Sequence, residues 1–203
     1  MVMGHYATAL IPYAYNSNRN IAPFWFFLLA TQALDFIMVA LVIVGVETVE
    51  PVGIFDASFR HMVVDMTYSH DIAPVLFWTL FFTLITGLAF KSVKLAVIVF
   101  GLTALHEFMD LLVGFEHFWF GKPESGDAAV FGFGLYNTAP VAGLLIEVAI
   151  CAGIVIWYLN KRSAVGKPVS KFSRRTLCAV LVGSTMALLA MANQSLASLF
   201  TWF

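Results

Sequence analysis

The sequence predicts an all-α, polytopic membrane helical bundle with five transmembrane helices and a short N-terminal re-entrant or half helix. Of the 203 residues, 61% are hydrophobic and only 11% are charged, whereas about 25% of the residues in a soluble domain are charged. Apolar runs of about 20 residues, the length that crosses a bilayer, recur along the chain. No shift in composition divides it, so residues 1–203 are expected to form a single integral membrane domain.

Five apolar stretches are long enough to span a bilayer, and polar stretches separate them. They cover residues 22–46, 71–90, 95–113, 135–159 and 176–200. Residues 1–16 are apolar but interrupted by Pro12, and they are too short because a span needs about 17 residues. Residues 1–16 are therefore predicted to form the N-terminal re-entrant or half helix. Pro74 predicts that the second helix begins near His70 or Asp71, since proline is tolerated only in the first turn.

The basic residues predict the orientation of the chain. If successive spans cross the bilayer in opposite directions, nine of the 11 Lys and Arg residues fall on one side of it. These nine are Arg19, the two lysines of the 91–94 turn and six residues of the 160–175 loop. Cytoplasmic loops are rich in Lys and Arg, so the 160–175 loop is expected in the cytoplasm and the C-terminus outside. There is no basic patch beyond these loops, so nucleic acid is not an expected partner.

Ionisable side chains inside the spans predict a functional site, because such residues are rare in the bilayer. His106 and Asp110 are four positions apart and share one face of a helix. At about 1.5 Å per residue, they lie roughly 10 and 5 Å below the outer end of the third span. Asp35 and Glu147 lie deeper, near the midplane of their spans.

Two further histidines extend this set. His70 lies at the outer mouth of the second span, and a re-entrant N-terminus would bring His5 near Asp35. Imidazoles and carboxylates at compatible depths suit a divalent metal. Two other interpretations stay open: His106 and Asp110 form a structural hydrogen-bonded pair, or the set relays protons or ions.

Residues 106–110 also resemble the metalloprotease helix motif H-E-x-x-H, with Asp in place of the last His. On a helix, however, Glu107 points some 100° away from the face that His106 and Asp110 share. The motif alone therefore does not make Glu107 the catalytic base.

Several segments follow one another in a fixed order. They are Gly4-His5-Tyr6-Ala7, Asp35, Asp65-Met66-Thr67-Tyr68-Ser69-His70, Leu105-His106-Glu107-Phe108-Met109-Asp110, and Phe133-Gly134-Leu135-Tyr136-Asn137 followed by Glu147. Together they resemble a family of small bacterial inner-membrane metal-dependent hydrolases, the LexA-binding membrane hydrolase group. That group is distantly akin to zinc-dependent phospholipase C and related single-strand nucleases. The resemblance covers the chain up to about residue 160 and implies the bacterial cytoplasmic (inner) membrane.

The resemblance implies one set of metal ligands, with zinc as the first choice of metal. These ligands are His5, Asp35, His70, His106 and Asp110. The sequence departs from the family pattern at Asp71, at Glu107 and over residues 113–117. The expected metal core therefore matches the family better than the rim that would touch substrate.

The mechanism expected from this set is metal-dependent hydrolysis at a site that faces outward. Zinc bound by imidazoles and carboxylates lowers the pKa of bound water to about 7. Asp65, Glu107 or Glu147 is expected to act as the base or to orient the ligands. The expected substrate is a lipid or lipid-linked ester or phosphoester, and membrane lipids are the expected surroundings. The alternative is a proton-coupled or metal-ion transporter, and homo-oligomerisation is left open.

Overall fold

The structure is a computed structural model that describes residues 2–15, 21–53, 55–122 and 129–200. Arg19, used above for the orientation, lies outside these residues. The described chain is mostly helical, as expected. Four helices are long and apolar enough to cross a membrane, or five if a bent pair counts as one span. These helices are consistent with a multi-pass membrane protein.

The elements follow one another in a simple order. The helices are α1 (Val2–Thr8), α2 (Leu10–Tyr15), α3 (Phe24–Thr31), α4 (Ala33–Ile43), α5 (Ile72–Phe90), α6 (Val93–Val113), α7 (Leu135–Thr138), α8 (Pro140–Ala164), α9 (Lys171–Leu177), α10 (Ser184–Leu188) and α11 (Leu196–Phe200). A π-helical segment at Cys178–Gly183 joins α9 to α10, and a 3-10 turn at Leu189–Met191 follows α10. The strands are β1 (Thr48–Glu50) and β2 (Val63–Asp65), which pair antiparallel with Val49 opposite Val64.

The two short N-terminal helices lie inside the bundle. Ala7 and Leu10 pack with Cys151 of α8 in one apolar cluster. Ala9 packs in a second cluster with Leu95 of α6. The small side chains of α1 allow neighbouring helices to approach closely. The polar residues of α1 are therefore placed in the interior of the bundle.

The first predicted span is a bent pair of helices. The axes of α3 and α4 differ by 57°. The break falls at Gln32, whose φ of −107° and ψ of 9° leave the α-helical region. The break interrupts the regular i to i−4 hydrogen bonding, so backbone groups near Thr31 become available to other partners.

Helices α5 and α6 form an antiparallel hairpin. Helix α5 begins at Ile72 with Pro74 in its first turn, which confirms the start expected from the proline. Lys91 ends α5 in the left-handed conformation (φ 49°), and the Ser92 hydroxyl accepts a hydrogen bond from Leu95 N at the start of α6. Large apolar side chains of α5, such as Leu80, are exposed and suit contact with lipid.

Two later helices begin and end at positions other than those expected. The fourth long helix begins at Pro140 rather than at residue 135, because proline lacks the N–H that a helix interior needs and suits a first turn. The last long apolar helix covers Lys171–Met191 rather than 176–200. The Ser170 hydroxyl accepts a hydrogen bond from Ser173 N and so caps its earlier start.

Candidate metal centre

Helix α6 contributes two adjacent side chains to a buried polar cluster. His106 and Asp110 are 1% and 6% exposed. His106 Nε2 lies 3.2 Å from Asp110 Oδ2. This proximity follows directly from their spacing of four on a regular helix.

Three other segments bring one side chain each to the same point. His5 Nε2 of α1 lies 3.2 Å from Asp110 Oδ1. His70 Nε2, from the turn before α5, lies 3.4 Å from Asp35 Oδ1 of α4. His106 Nε2 lies 3.7 Å from the same Asp35 oxygen. The five residues expected to bind a metal therefore converge, although they come from four separate parts of the chain.

The break between α3 and α4 orients His106. The Nδ1–H of His106 donates to the carbonyl oxygen of Thr31 at 2.6 Å, since a carbonyl can only accept. The lone pair of the neutral ring is then on Nε2, which faces Asp35 and Asp110. The same break places Asp35 in the first turn of α4.

A hydrogen-bonded chain orients His70 in the same way. The Ser69 hydroxyl donates to Glu47 Oε2 at 2.8 Å, so its oxygen accepts from His70 Nδ1–H at 2.8 Å. Glu47 is 1% exposed, and its other oxygen accepts the backbone N–H groups of Tyr68 and Ser69. Sequence reasoning did not assign Glu47 a role, because no spacing connects it to His70.

The centre consists of hydrogen-bond acceptors that face one another. With both Nδ1 atoms donating elsewhere, the neutral form of each ring would present a lone pair on Nε2, and His70 Nε2 and His106 Nε2 lie 3.4 Å apart. The carboxylates of Asp35 and Asp110 lie against the same two atoms. Buried acceptors and negative charges in this arrangement require a cation or added protons for stability.

The donor atoms fit the size of a zinc ion. Among the described residues, two groups have all their donor atoms within 4.8 Å of one another: His70, His106 and Asp110, and His5, Asp35 and His106. Zinc–nitrogen bonds of about 2.0 Å imply donor atoms roughly 3.3 Å apart at the edges of a tetrahedron. The separations of 3.2, 3.4 and 3.7 Å around His106 lie close to that value.

Glu147 contacts the backbone of α1 rather than the cluster. It is 0% exposed, and its Oε1 accepts the N–H groups of Met3 and Gly4 at 2.7 and 3.0 Å. Its Oε2 accepts the Tyr136 hydroxyl at 2.6 Å. A carboxylate suits the N-terminus of a helix, where N–H groups lack intrahelical partners. Glu147 thus holds the helix that carries His5.

The other two candidate bases also lie outside the cluster. Asp65 is exposed in β2, and its Oδ1 accepts hydrogen bonds from the N–H and the hydroxyl of Thr67. Glu107 is 7% exposed on another face of α6, as the helical geometry predicts. Within the described residues its carboxylate has no hydrogen-bond partner, and its Oε1 lies 3.9 Å from His117 Nδ1.

The loop after α6 packs tightly beside the centre. Asp71 accepts hydrogen bonds from Phe118 N and Gly121 N and so joins this loop to the start of α5. Burial raises the pKa of the Asp71 carboxyl above its ordinary value. His117 donates its Nδ1–H to the backbone oxygen of His70 at 2.7 Å. Burial lowers the pKa of His117 to about 4, so its ring is neutral at pH 7.

A cavity of about 440 Å³ adjoins the centre. Asp35, His70 and Asp110 line one part of it. Apolar side chains line most of the rest, among them Val49 and Val64 of the β-hairpin. The cavity therefore combines a polar, metal-sized cluster with an apolar wall, as ligand sites commonly do.

Comparisons of the chain with protein-family models, with curated proteins and with solved structures give no match. The resemblance to the hydrolase family, which rests on the sequence motifs, therefore stays a prediction.

Proposed function

We propose that the protein is a membrane-embedded, metal-dependent hydrolase, with zinc as its metal. The observation that carries the proposal is the convergence of three imidazoles and two carboxylates, whose donor atoms form two groups of three that share His106 and fit a metal ion. Imidazole nitrogens and carboxylate oxygens are ligands that a divalent cation such as zinc binds.

The metal would act as a Lewis acid and lower the pKa of a water molecule toward neutrality. The residues of the chain would orient the ligands and accept a proton. Thr31 and the Ser69–Glu47 pair keep two imidazoles oriented. The Asp35 side chain is 29% exposed, compared with 8% for Asp110, and it lines the cavity. If one Asp35 oxygen binds the metal, the other is therefore placed to accept a proton from the attacking water.

The proposed substrate is a lipid or lipid-linked ester or phosphoester. Support comes from the mainly apolar lining of the cavity beside the centre. The apolar chain of the substrate would leave water or lipid and fill this space. The bond to be cleaved would then face the cluster.

The proposed location is the bacterial cytoplasmic membrane. The excess of Lys and Arg around 160–175 supports a cytoplasmic position for that loop, with the C-terminus outside. The cavity and the β-hairpin would then face outward, because they lie at the opposite end of α6 from Lys94.

Elemental analysis of the purified protein tests the proposal. After dialysis against low zinc, we expect about one zinc ion per chain, and we expect His106→Ala to lose it. His61→Ala is the matched control, because His61 is exposed and bonds Ser58 instead of the cluster. Absence of stoichiometric metal in the native protein, or equal metal in His106→Ala, would contradict the proposal.

Ion or proton transport is the second candidate, supported by the carboxylate of Asp35 within 3.4 Å of a buried imidazole. A transport path would have to continue toward Lys94. There, however, the buried side chains of α6 are Leu95, Val99 and Leu102 in an apolar cluster. Flux of metal or protons in proteoliposomes, abolished by Asp35→Asn, would favour transport; tight metal without flux would favour hydrolysis.

A further inference from the structure

Two residues that line the cavity each have a buried side-chain nitrogen without a hydrogen-bond partner in the part of the chain that the structure describes. The two nitrogens are Nε2 of Gln32 and Nε2 of His117. Gln32 is 3% exposed and His117 is 1% exposed, and both residues line the cavity beside the candidate metal centre. Buried polar atoms of folded proteins are almost always hydrogen-bonded, so each of these atoms needs an explanation.

The backbone holds His117 in one orientation. Its Nδ1–H donates to the carbonyl of His70. Its own N–H and carbonyl pair with Phe131, at 3.1 and 2.8 Å. With the proton on Nδ1, the neutral ring presents a lone pair on Nε2. His117 therefore offers a hydrogen-bond acceptor to a molecule in the cavity.

Gln32 is fixed by the break between α3 and α4. Its backbone N–H donates to Leu29 O at 3.2 Å, and its carbonyl accepts Phe36 N at 2.9 Å. It directly follows Thr31, whose carbonyl orients His106. Its side-chain amide group is a hydrogen-bond donor. The donor is thus attached to the same turn that supports the metal ligands.

The other residues that line the cavity indicate that a ligand must also have an apolar part. Much of it is apolar, including Met62, Val64, Phe115, Leu188 and Met191. An apolar group alone would leave Gln32 and His117 unpaired on the wall, and a fully polar ligand would leave the apolar wall unmatched. A ligand with both parts satisfies the whole surface.

We propose that Gln32 and His117 bind the polar part of the substrate, and that this part carries a hydroxyl or N–H group beside the bond to be cleaved. His117 Nε2 accepts from that hydroxyl or N–H. Gln32 Nε2 donates to an oxygen of the ester or phosphoester. The substrate class is then an amphiphile with a free hydrogen-bond donor next to its ester, an assignment that rests on the proposed hydrolase function.

Binding of an uncleavable analogue tests this assignment separately from hydrolysis. The probes are 1-O-dodecylglycerol, which has two hydroxyls, and its di-O-methyl ether, which has none. Each is titrated calorimetrically into the detergent-solubilised, zinc-loaded protein. We expect the wild-type protein to bind dodecylglycerol at least about tenfold more tightly than the di-O-methyl ether, because only dodecylglycerol can donate a hydrogen bond to His117.

The variants separate a substrate contact from a structural role. His117→Asn keeps a donor for the His70 carbonyl but lacks Nε2, so we expect it to lose the preference for dodecylglycerol and to keep its zinc. His117→Phe gives a second test of the same atom. Gln32→Met keeps the shape of the side chain, and we expect it to weaken both probes by a similar factor. His61→Ala should match the wild-type protein.

Equal binding of the two probes by the wild-type protein would overturn the assignment, and so would an unchanged preference for dodecylglycerol in His117→Asn. Loss of zinc from His117→Asn would also overturn it, because His117 would then be a ligand of the metal. These outcomes are distinct from failure of the hydrolase proposal. A protein without stoichiometric zinc that still prefers dodecylglycerol would refute the hydrolase and retain the binding site.

Discussion

His5 Nε2 and Asp110 Oδ1 lie 3.2 Å apart, although 105 positions separate them in the chain. The contact joins an N-terminal half helix to the end of α6. The imidazole of His5 also stacks on that of His106, with ring centroids 3.5 Å apart and an interplanar angle of 8°. The candidate metal centre and the packing of the N-terminus are therefore parts of one arrangement.

Replacement of Asp110 should have the largest effect on metal binding. Asp110 contacts His5 and His106 through its two oxygens, so Asp110→Asn removes the negative charge that both imidazoles share. We expect zinc affinity to fall by more than about 100-fold, the upper range for residues that only support a ligand. Competition with a fluorescent zinc chelator measures it. Asp65→Asn, an exposed carboxylate outside the cluster, serves as the control, and an equal loss there would refute the assignment.

Glu47 should influence the centre only through His70. Glu47→Gln keeps an oxygen for the N–H groups of Tyr68 and Ser69 but weakens the acceptor of the Ser69 hydroxyl. We expect zinc affinity to fall about 10- to 100-fold, as for other residues that orient a ligating imidazole. The same chelator competition applies, with the exposed Glu50→Gln as control. Unchanged affinity in Glu47→Gln would mean that His70 is oriented without it.

Glu147 should act as a stabilising residue rather than as a base. Glu147→Gln weakens three hydrogen bonds, from Met3 N, Gly4 N and the Tyr136 hydroxyl, and the last two are buried. We expect the free energy of unfolding to fall by about 1–3 kcal/mol. Denaturant unfolding in detergent micelles measures this change.

The control for Glu147 is the exposed Glu116→Gln. Tyr136→Phe removes only one of the three hydrogen bonds and should cost about 1 kcal/mol. If Glu147→Gln leaves stability unchanged but abolishes hydrolysis, the residue belongs in the chemistry instead.

Gly132 should be required by the loop that carries His117. Its φ is +81°, and an added Cβ would lie 2.9 Å from the backbone oxygen of Leu111. We therefore expect Gly132→Ala to destabilise the protein by about 1–3 kcal/mol. Gly153→Ala in α8 is the control, because nothing lies within 4 Å of an added Cβ there. Equal unfolding midpoints for the two variants would contradict this expectation.

Local sequence patterns were sufficient for the features that depend on neighbouring residues. Hydropathy predicted the apolar helices, since about 20 apolar residues in succession suit a bilayer. Pro74 predicted the start of α5. The spacing of His106 and Asp110 predicted their contact, because residues four apart face the same way on a helix.

The roles of other polar residues depended on contacts between distant segments. Glu147 stays a candidate base, and the structure adds that its carboxylate accepts hydrogen bonds from N–H groups of α1. Glu47 orients His70 through Ser69, and no periodicity in the sequence connects these residues.

The sequence by itself thus determined a helical protein with apolar spans and a set of imidazoles and carboxylates within them. Only the tertiary structure decided which of these residues meet and which residues support them. It alone also brought Gln32 and His117 to the lining of one cavity. The physical reason is that helix periodicity and hydropathy act over a few turns. The partner of a buried polar atom is instead set by how separate helices pack, which local sequence does not encode.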